Sequence, residues 1–239
     1  MLRNIDLNEI SDGNLYTAND LVRADCGGCH GCSDCCQGMG DSIILDPYDF
    51  YQLCQGLSLA PEALLDQAVG LSVVDGIILP HLNMTKGKDA CSFLSEDGRC
   101  RIHGFRPGFC RLFPLGRIYE NGSFSYFIQT KECKKRNRSK IRIRKWLQIP
   151  DLPHYEDFIC RWHYLLADLQ SHNDRMEDTA YQKQVSMYVL QNFFLTPYQK
   201  EDFYSSFEER YVACRKIFHL SDLSDSYDLS IDPGSPKQS

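Results

Sequence analysis

The chain has 239 residues, 43% hydrophobic and 24% charged, an ordinary balance for a globular protein and enough length for a sizeable core. Its formal net charge of -6 supplies no general attraction to nucleic acid or to an anionic membrane. No apolar stretch approaches the roughly 18 residues of a membrane span, and Met1–Ile10 carries acids without an apolar centre, unlike a secretory leader, so a cytoplasmic protein is expected.

Residues 1–25 read as a polar lead-in. A glycine-rich cysteine block follows at 26–36. Ser42–Leu45 is predicted as a short strand. Asp46-Pro47 starts a helix, with proline at the first helical position, and Gly56 is expected to end it. A second short helix covers Pro61 to Val69. Gly76–Pro80 is predicted as a strand that stops at the proline. A second cysteine block spans Cys91 to Cys110 and crosses a turn at Asp97-Gly98. Arg117–Ile128 is predicted as a hairpin, because Asn121-Gly122 suits a type I′ turn. Nine Lys or Arg then lie between Lys131 and Lys145 against the single Glu132. This basic run reads as a solvated loop suited to steering an acidic protein partner, because it lacks the interleaved aromatics of a nucleic-acid surface before Trp146.

After Pro153 the pattern turns helical. Tyr155, Phe158, Ile159, Trp162, Leu165, Leu166 and Leu169 recur at spacings of three and four. Val185–Phe194 and Phe203–Ile217 repeat the signal, and Ser221–Ser239 reads as a polar, disordered tail. The expected fold is α+β and mostly helical: an irregular, metal-stapled cysteine-rich core with a small hairpin, and a C-terminal helical subdomain. The corresponding divisions are a lead-in at 1–25, a metal-binding domain at 26–150, helices at 151–220 and the tail at 221–239.

Eight of the twelve cysteines fall in the two blocks. Five of them, Cys26, Cys29, Cys32, Cys35 and Cys36, occupy eleven consecutive positions. They cannot all pair with one another, because a disulfide demands a specific Cα separation and torsion. Thiolates two residues apart can instead converge on one metal ion or cluster. Cys26, Cys29, Cys32 and Cys36 spell C-x2-C-x2-C-x3-C, the spacing of bacterial ferredoxin ligation, with Gln37 where ferredoxins carry proline. Cys91, Cys100, Cys110 and Cys133 are the natural suppliers of further ligands. Paired knuckles on tetrahedral zinc are the competing reading, against which the adjacent Cys35-Cys36 pair argues. Buried free thiols are disfavoured because the block is rich in Gly, Ser and Asp. An iron–sulfur cluster, most simply 4Fe-4S, leads over zinc.

The segment Cys29-His-Gly-Cys32-Ser-Asp-Cys35-Cys36 resembles the C-x2-C-x2-C-C signature of the YkgJ-type cysteine-cluster family, a zinc- or iron-chelating domain. The stretch from Cys91 through Gly98-Arg-Cys100-Arg-Ile-His103 to Arg106-Pro107-Gly-Phe-Cys110-Arg111-Leu-Phe113-Pro114 is similar to the family's second motif, with His103 replacing a tyrosine. The resemblance covers about residues 26–133. It implies Cys29, Cys32, Cys35, Cys36, Cys91, Cys100, Cys110 and Cys133 as ligands, with Cys26 outside the short signature. The family includes flagellin lysine N-methylases, which implies methyl-transfer or redox chemistry, S-adenosylmethionine as a possible co-substrate, and a protein substrate or redox partner. The C-x3-C-x2-C triplet of radical enzymes and a Rossmann-type glycine turn are both absent from the sequence.

Arg106 and Arg111 are candidate cluster-facing residues, since guanidinium groups offset thiolate charge and donate to sulfur. His30 and His103 are weaker ligand candidates, because cysteines suffice. His154, His163, His172 and His219 read as structural or exposed. Cys54, Cys160 and Cys214 sit on helix faces among apolar residues and read as core thiols. No acid–base pair or nucleophile stands out, and the sequence does not specify an oligomeric state.

Overall fold

A computed structural model describes residues 7–27, 32–85, 87, 89–135, 137–176, 178–199 and 202–220. Cys29, His30 and the tail from 221 lie outside them. Helices dominate, and the strands form four antiparallel pairs among the described residues.

A short helix α1 (Leu7–Ile10) precedes strand β1 (Leu21–Asp25). Residues read as a polar lead-in therefore contribute a strand, whose buried Val22 and Ala24 alternate with exposed neighbours. Its partner is β8 (Ser139–Arg142), with Leu21 opposite Arg142 and Asp25 opposite Ser139. The basic run thus holds a strand, followed by helix α5 (Ile143–Leu147), rather than a loop.

Helix α2 (Pro47–Leu57) starts at the predicted proline. Asp46 and Asp49 form a reciprocal capping box: the Asp49 amide donates to the Asp46 carboxylate at 2.8 Å, and the Asp46 amide to Asp49 at 3.4 Å. The helix runs past Gly56 and closes on Ser58 in the left-handed region. Gly56 is needed for a different reason, because a Cβ there would stand 2.5 Å from the Phe105 ring.

Helix α3 (Pro61–Gln67) stops short of Val69, where β2 (Val69–Val74) begins. It pairs with β3 (Ile77–Leu82) around Asp75-Gly76, whose φ values of 49° and 79° are those of a two-residue hairpin turn. The sequence reading missed this partner and ended β3 at Pro80. In the structure Pro80 stays in the ladder opposite Leu71, and its carbonyl accepts from the Leu45 amide at 2.9 Å. The predicted strand at 42–45 is only an isolated bridge, Ile44 with His81, because Asp46 caps a helix immediately afterwards.

Two-residue strands β4 (Met84–Thr85) and β5 (Ala90–Cys91) pair next, followed by a single-turn helix α4 (Gly108–Leu112). The predicted hairpin is β6 (Leu115–Glu120) with β7 (Ser123–Ile128), turning at Asn121 and Gly122, both with positive φ. Helix α6 (Leu152–Met176) buries Tyr155, Phe158, Ile159, Trp162, Leu165 and Leu169 of the stripe read from sequence and leaves Leu166 half-buried against the core. Helix α7 (Thr179–Val189) continues into a π turn at Leu190–Leu195, and α8 (Phe203–Ile217) packs back on α6. Ion pairs between Arg161 and Glu208, and between Arg215 and Asp168 at 2.8 Å, join α6 to α8. Tyr48 of α2 meets Tyr155 edge-on at 5.6 Å and Phe203 at 5.0 Å, so the cysteine segment and the C-terminal helices share one buried core.

Candidate metal centre

The fold brings the two cysteine blocks together from positions far apart in sequence. The β1–β8 pair holds the exit of Cys26 beside the approach from Cys133, and Ser139 Oγ donates to the Asp25 carboxylate at 3.1 Å. Cys35 and Cys36 lie in a single 3-10 turn, Asp34–Cys36. Gln37 bridges to Ala90, and the Gly38 amide donates to the Asp89 carbonyl at 2.8 Å, which sets Cys36 beside the strand that carries Cys91. The Ser95–Arg99 turn folds Cys100 back to pair with Leu94. Cys110 rides on α4, whose first residue, Gly108, donates its amide to the buried Asp49 carboxylate at 2.7 Å.

Cys26, Cys32, Cys35, Cys110 and Cys133 line one cavity of about 40 Å³. Arg106 forms part of its wall, and Glu132, Lys134 and Lys135 from the basic run and Trp146 just after it also line it. The Lys134 ammonium pairs with Asp34 at 3.4 Å, tying the first block to the segment of Cys133. Cys36, Cys91 and Cys100 do not line this cavity, yet their sulfurs interact electrostatically with those that do. Cys110 is pushed up first by burial, then by Asp49, Cys91, Cys100 and Cys35. Cys91 and Cys100 are raised first by burial. Cys35 alone is held down, at about 7, first because the Cys36 thiol donates to its sulfur, while Cys36 is pushed up by the same contact. Crowded, half-buried thiols of this kind ionise together only beside compensating positive charge.

That donor set fits a soft metal or a cluster. Sulfur donors converge from five chain positions on one cavity, and no disulfide joins any of the eleven described cysteines. Among the described residues, no group of three or more donors is drawn tightly enough to hold an ion as placed. Cys29, central to the signature, lies outside the described residues.

The two arginines divide. Arg106 Nη1 lies 2.7 Å from His103 Nε2, and its charge favours the thiolates of Cys35 and Cys100. Arg111 is turned to backbone carbonyls: its Nε donates to Arg106 at 3.0 Å, and its two other nitrogens donate to Gly104 and to Gln148 at 2.5 and 3.2 Å. It shapes the 104–111 loop that delivers Cys110 and does not line the cysteine cavity. Cys214 is fully buried in the core, whereas Cys54 and Cys160 are half-buried.

Sequence reading missed the polar knot beneath the site. Asp46 and Asp49 are buried, the Tyr155 hydroxyl reaches Asp46 at 3.4 Å, and Arg117 Nη2 lies 3.4 Å from that hydroxyl. Only the helix-start pattern signalled the two acids, and nothing in the hairpin sequence singled out Arg117.

Residues 28–139 match the family model CxxCxxCC, described as "Putative zinc- or iron-chelating domain". That match agrees with the resemblance of the two motifs to the YkgJ-type cysteine-cluster family. No curated protein and no solved structure matches the chain. The family match supports metal binding. Among the described residues, no helix is long and apolar enough to cross a membrane.

Proposed function

We propose that the protein holds an iron–sulfur cluster among Cys26, Cys29, Cys32, Cys35, Cys36, Cys91, Cys100, Cys110 and Cys133, and uses it in redox or methyl-transfer chemistry like that of the flagellin lysine N-methylases. The observation that carries this reading is the cavity into which five of these cysteines converge. The number of thiols adds support, since a single tetrahedral ion is saturated by fewer. The adjacent Cys35-Cys36 pair also suits a multi-metal centre better than one zinc ion. Bound there, the cluster would supply electrons, or activate S-adenosylmethionine for transfer to a protein substrate. Arg106 would offset thiolate charge, and Lys134 and Lys135 would steer an acidic protein partner toward the cavity. The reading extends to a cytoplasmic protein built of a metal-binding domain and a helical subdomain.

A zinc-stabilised scaffold, metal handler or sensor is the second reading. It is favoured by the small size of the cavity, about 40 Å³, which suits one ion. The experiment that separates the two is metal and acid-labile sulfide analysis on protein purified without oxygen. Iron with sulfide and a broad visible absorption supports the cluster. Zinc alone, in a colourless protein, overturns it in favour of the scaffold.

A further inference from the structure

A second cavity, of about 170 Å³, shares Arg106 with the cysteine cavity. Its floor contains buried Asp49 and Tyr155, and its walls include Arg106, Arg111, Gln52 and Gln148. At about 30 Å³ per water in the liquid, it has room for a ligand of several non-hydrogen atoms.

The chemistry of the lining selects the ligand. Two guanidinium groups face a single carboxylate, so the cavity carries excess positive charge. Both Asp49 oxygens are already engaged, one by the Gly108 amide at 2.7 Å and the other by the Asp46 amide at 3.4 Å. Arg111 spends its N–H groups on backbone carbonyls, so it contributes charge held in place rather than free donors. Arg106 keeps a donor unspent: its Nη1 lies against His103, but its Nε is buried and has no hydrogen-bond partner among the described residues. A buried donor without an acceptor costs about 1–3 kcal/mol, and a guanidinium turned toward an oxygen anion in the cavity would gain a charge-assisted bond. Gln52 and Gln148 line the same cavity.

We propose that this cavity binds a small oxyanion, a carboxylate or a phosphate, through Arg106, beside the thiols. Its position next to a metal rests on the function proposed above; the binding of the anion does not. Because Arg106 borders both cavities, an anion bound there shares its positive charge with the thiolates of the cysteine site.

The test is a titration of the full-length, 15N-labelled protein with sodium acetate, with sodium phosphate and with sodium chloride at matched ionic strength, following the Gly104 and Gln148 amide signals. Saturable shifts with acetate or phosphate, absent with chloride, support the site, and the anion that saturates names the ligand class. Arg106→Gln is expected to weaken binding at least about tenfold, as loss of a charged hydrogen bond would. Gln52→Glu, nearly isosteric and helix-compatible, keeps the fold and is expected to abolish binding by adding negative charge. Shifts that match chloride, or unchanged affinity in Gln52→Glu, would overturn the proposal. Metal content measured on the same samples separates the two claims. Anion binding by protein that never holds metal sinks only the metal reading, and metal without saturable anion binding sinks only this one.

Discussion

The Gly108 amide donates to the Asp49 carboxylate at 2.7 Å, and this bond ties the helix that carries Cys110 to the first turn of α2. Tyr155 of α6 closes over the same point. A Cβ on Gly108 would stand 2.2 Å from its hydroxyl. One glycine is therefore where a ligand-bearing turn, a capped helix and the C-terminal helices meet.

Gly108→Ala is accordingly expected to destabilise the protein by about 1–3 kcal/mol, since the added methyl has no room and Tyr155 is itself buried. Tyr155→Phe removes the clashing oxygen. The double variant should cost less than the sum of the single ones, a coupling that urea unfolding of the four proteins would read. Simple additivity would mean that the clash is relieved by movement elsewhere.

The thiols should differ in reactivity once metal is stripped. Cys35 is held at about 7, so near neutral pH a substantial fraction is thiolate, the nucleophilic form. Cys36 is pushed up by its contact with Cys35, and Cys110 chiefly by burial. Timed iodoacetamide labelling read by mass spectrometry is expected to modify Cys35 before Cys36 or Cys110. Faster labelling of Cys110 would contradict the packing described here.

The capping carboxyls give stability a pH dependence. Asp46 is pushed up from 3.8 to about 6, mainly by burial, and Asp49 is raised well above its ordinary range by burial and then by the charge of Asp46. A carboxyl whose folded pKa exceeds its unfolded one stabilises the fold while protonated. That contribution is complete below 3.8 and is lost as pH rises through about 6. Asp49→Asn keeps an acceptor for Gly108 but cannot ionise. Compared at equal metal content, its unfolding free energy is expected to fall less between pH 4 and 7 than that of the native chain. A parallel fall in both proteins would place the titration elsewhere.

Local signals carried much of the fold. Asn121-Gly122 marked the hairpin, Asp46-Pro47 marked the start of α2, and the three- and four-residue spacing from Tyr155 to Leu169 marked the long helix. What escaped was set by distance or by partners. Strand β1 is short and half-polar and becomes a strand only because Ser139–Arg142 lies beside it. Gly56 looks like a helix terminator in sequence, but it is a helical residue over which the Phe105 ring passes. At the site, spacing named the cysteines, and the structure gathers five of them. It could not show that Arg106 would border the thiols while Arg111, five residues on, would be consumed by carbonyls. Nor could it show Asp49 and Tyr155 underpinning Cys110, because their contacts join three separate elements.

The most direct test is metal per chain in protein purified without oxygen, for the native sequence and for Cys32→Ser, Cys110→Ser and Cys214→Ser. Cys32 and Cys110 line the shared cavity, whereas Cys214 is buried in the helical core. Metal is expected in the native chain and in Cys214→Ser, with loss of metal and of stability in the other two. Equal metal content in all four proteins, or a folded native chain that holds none, would contradict the account.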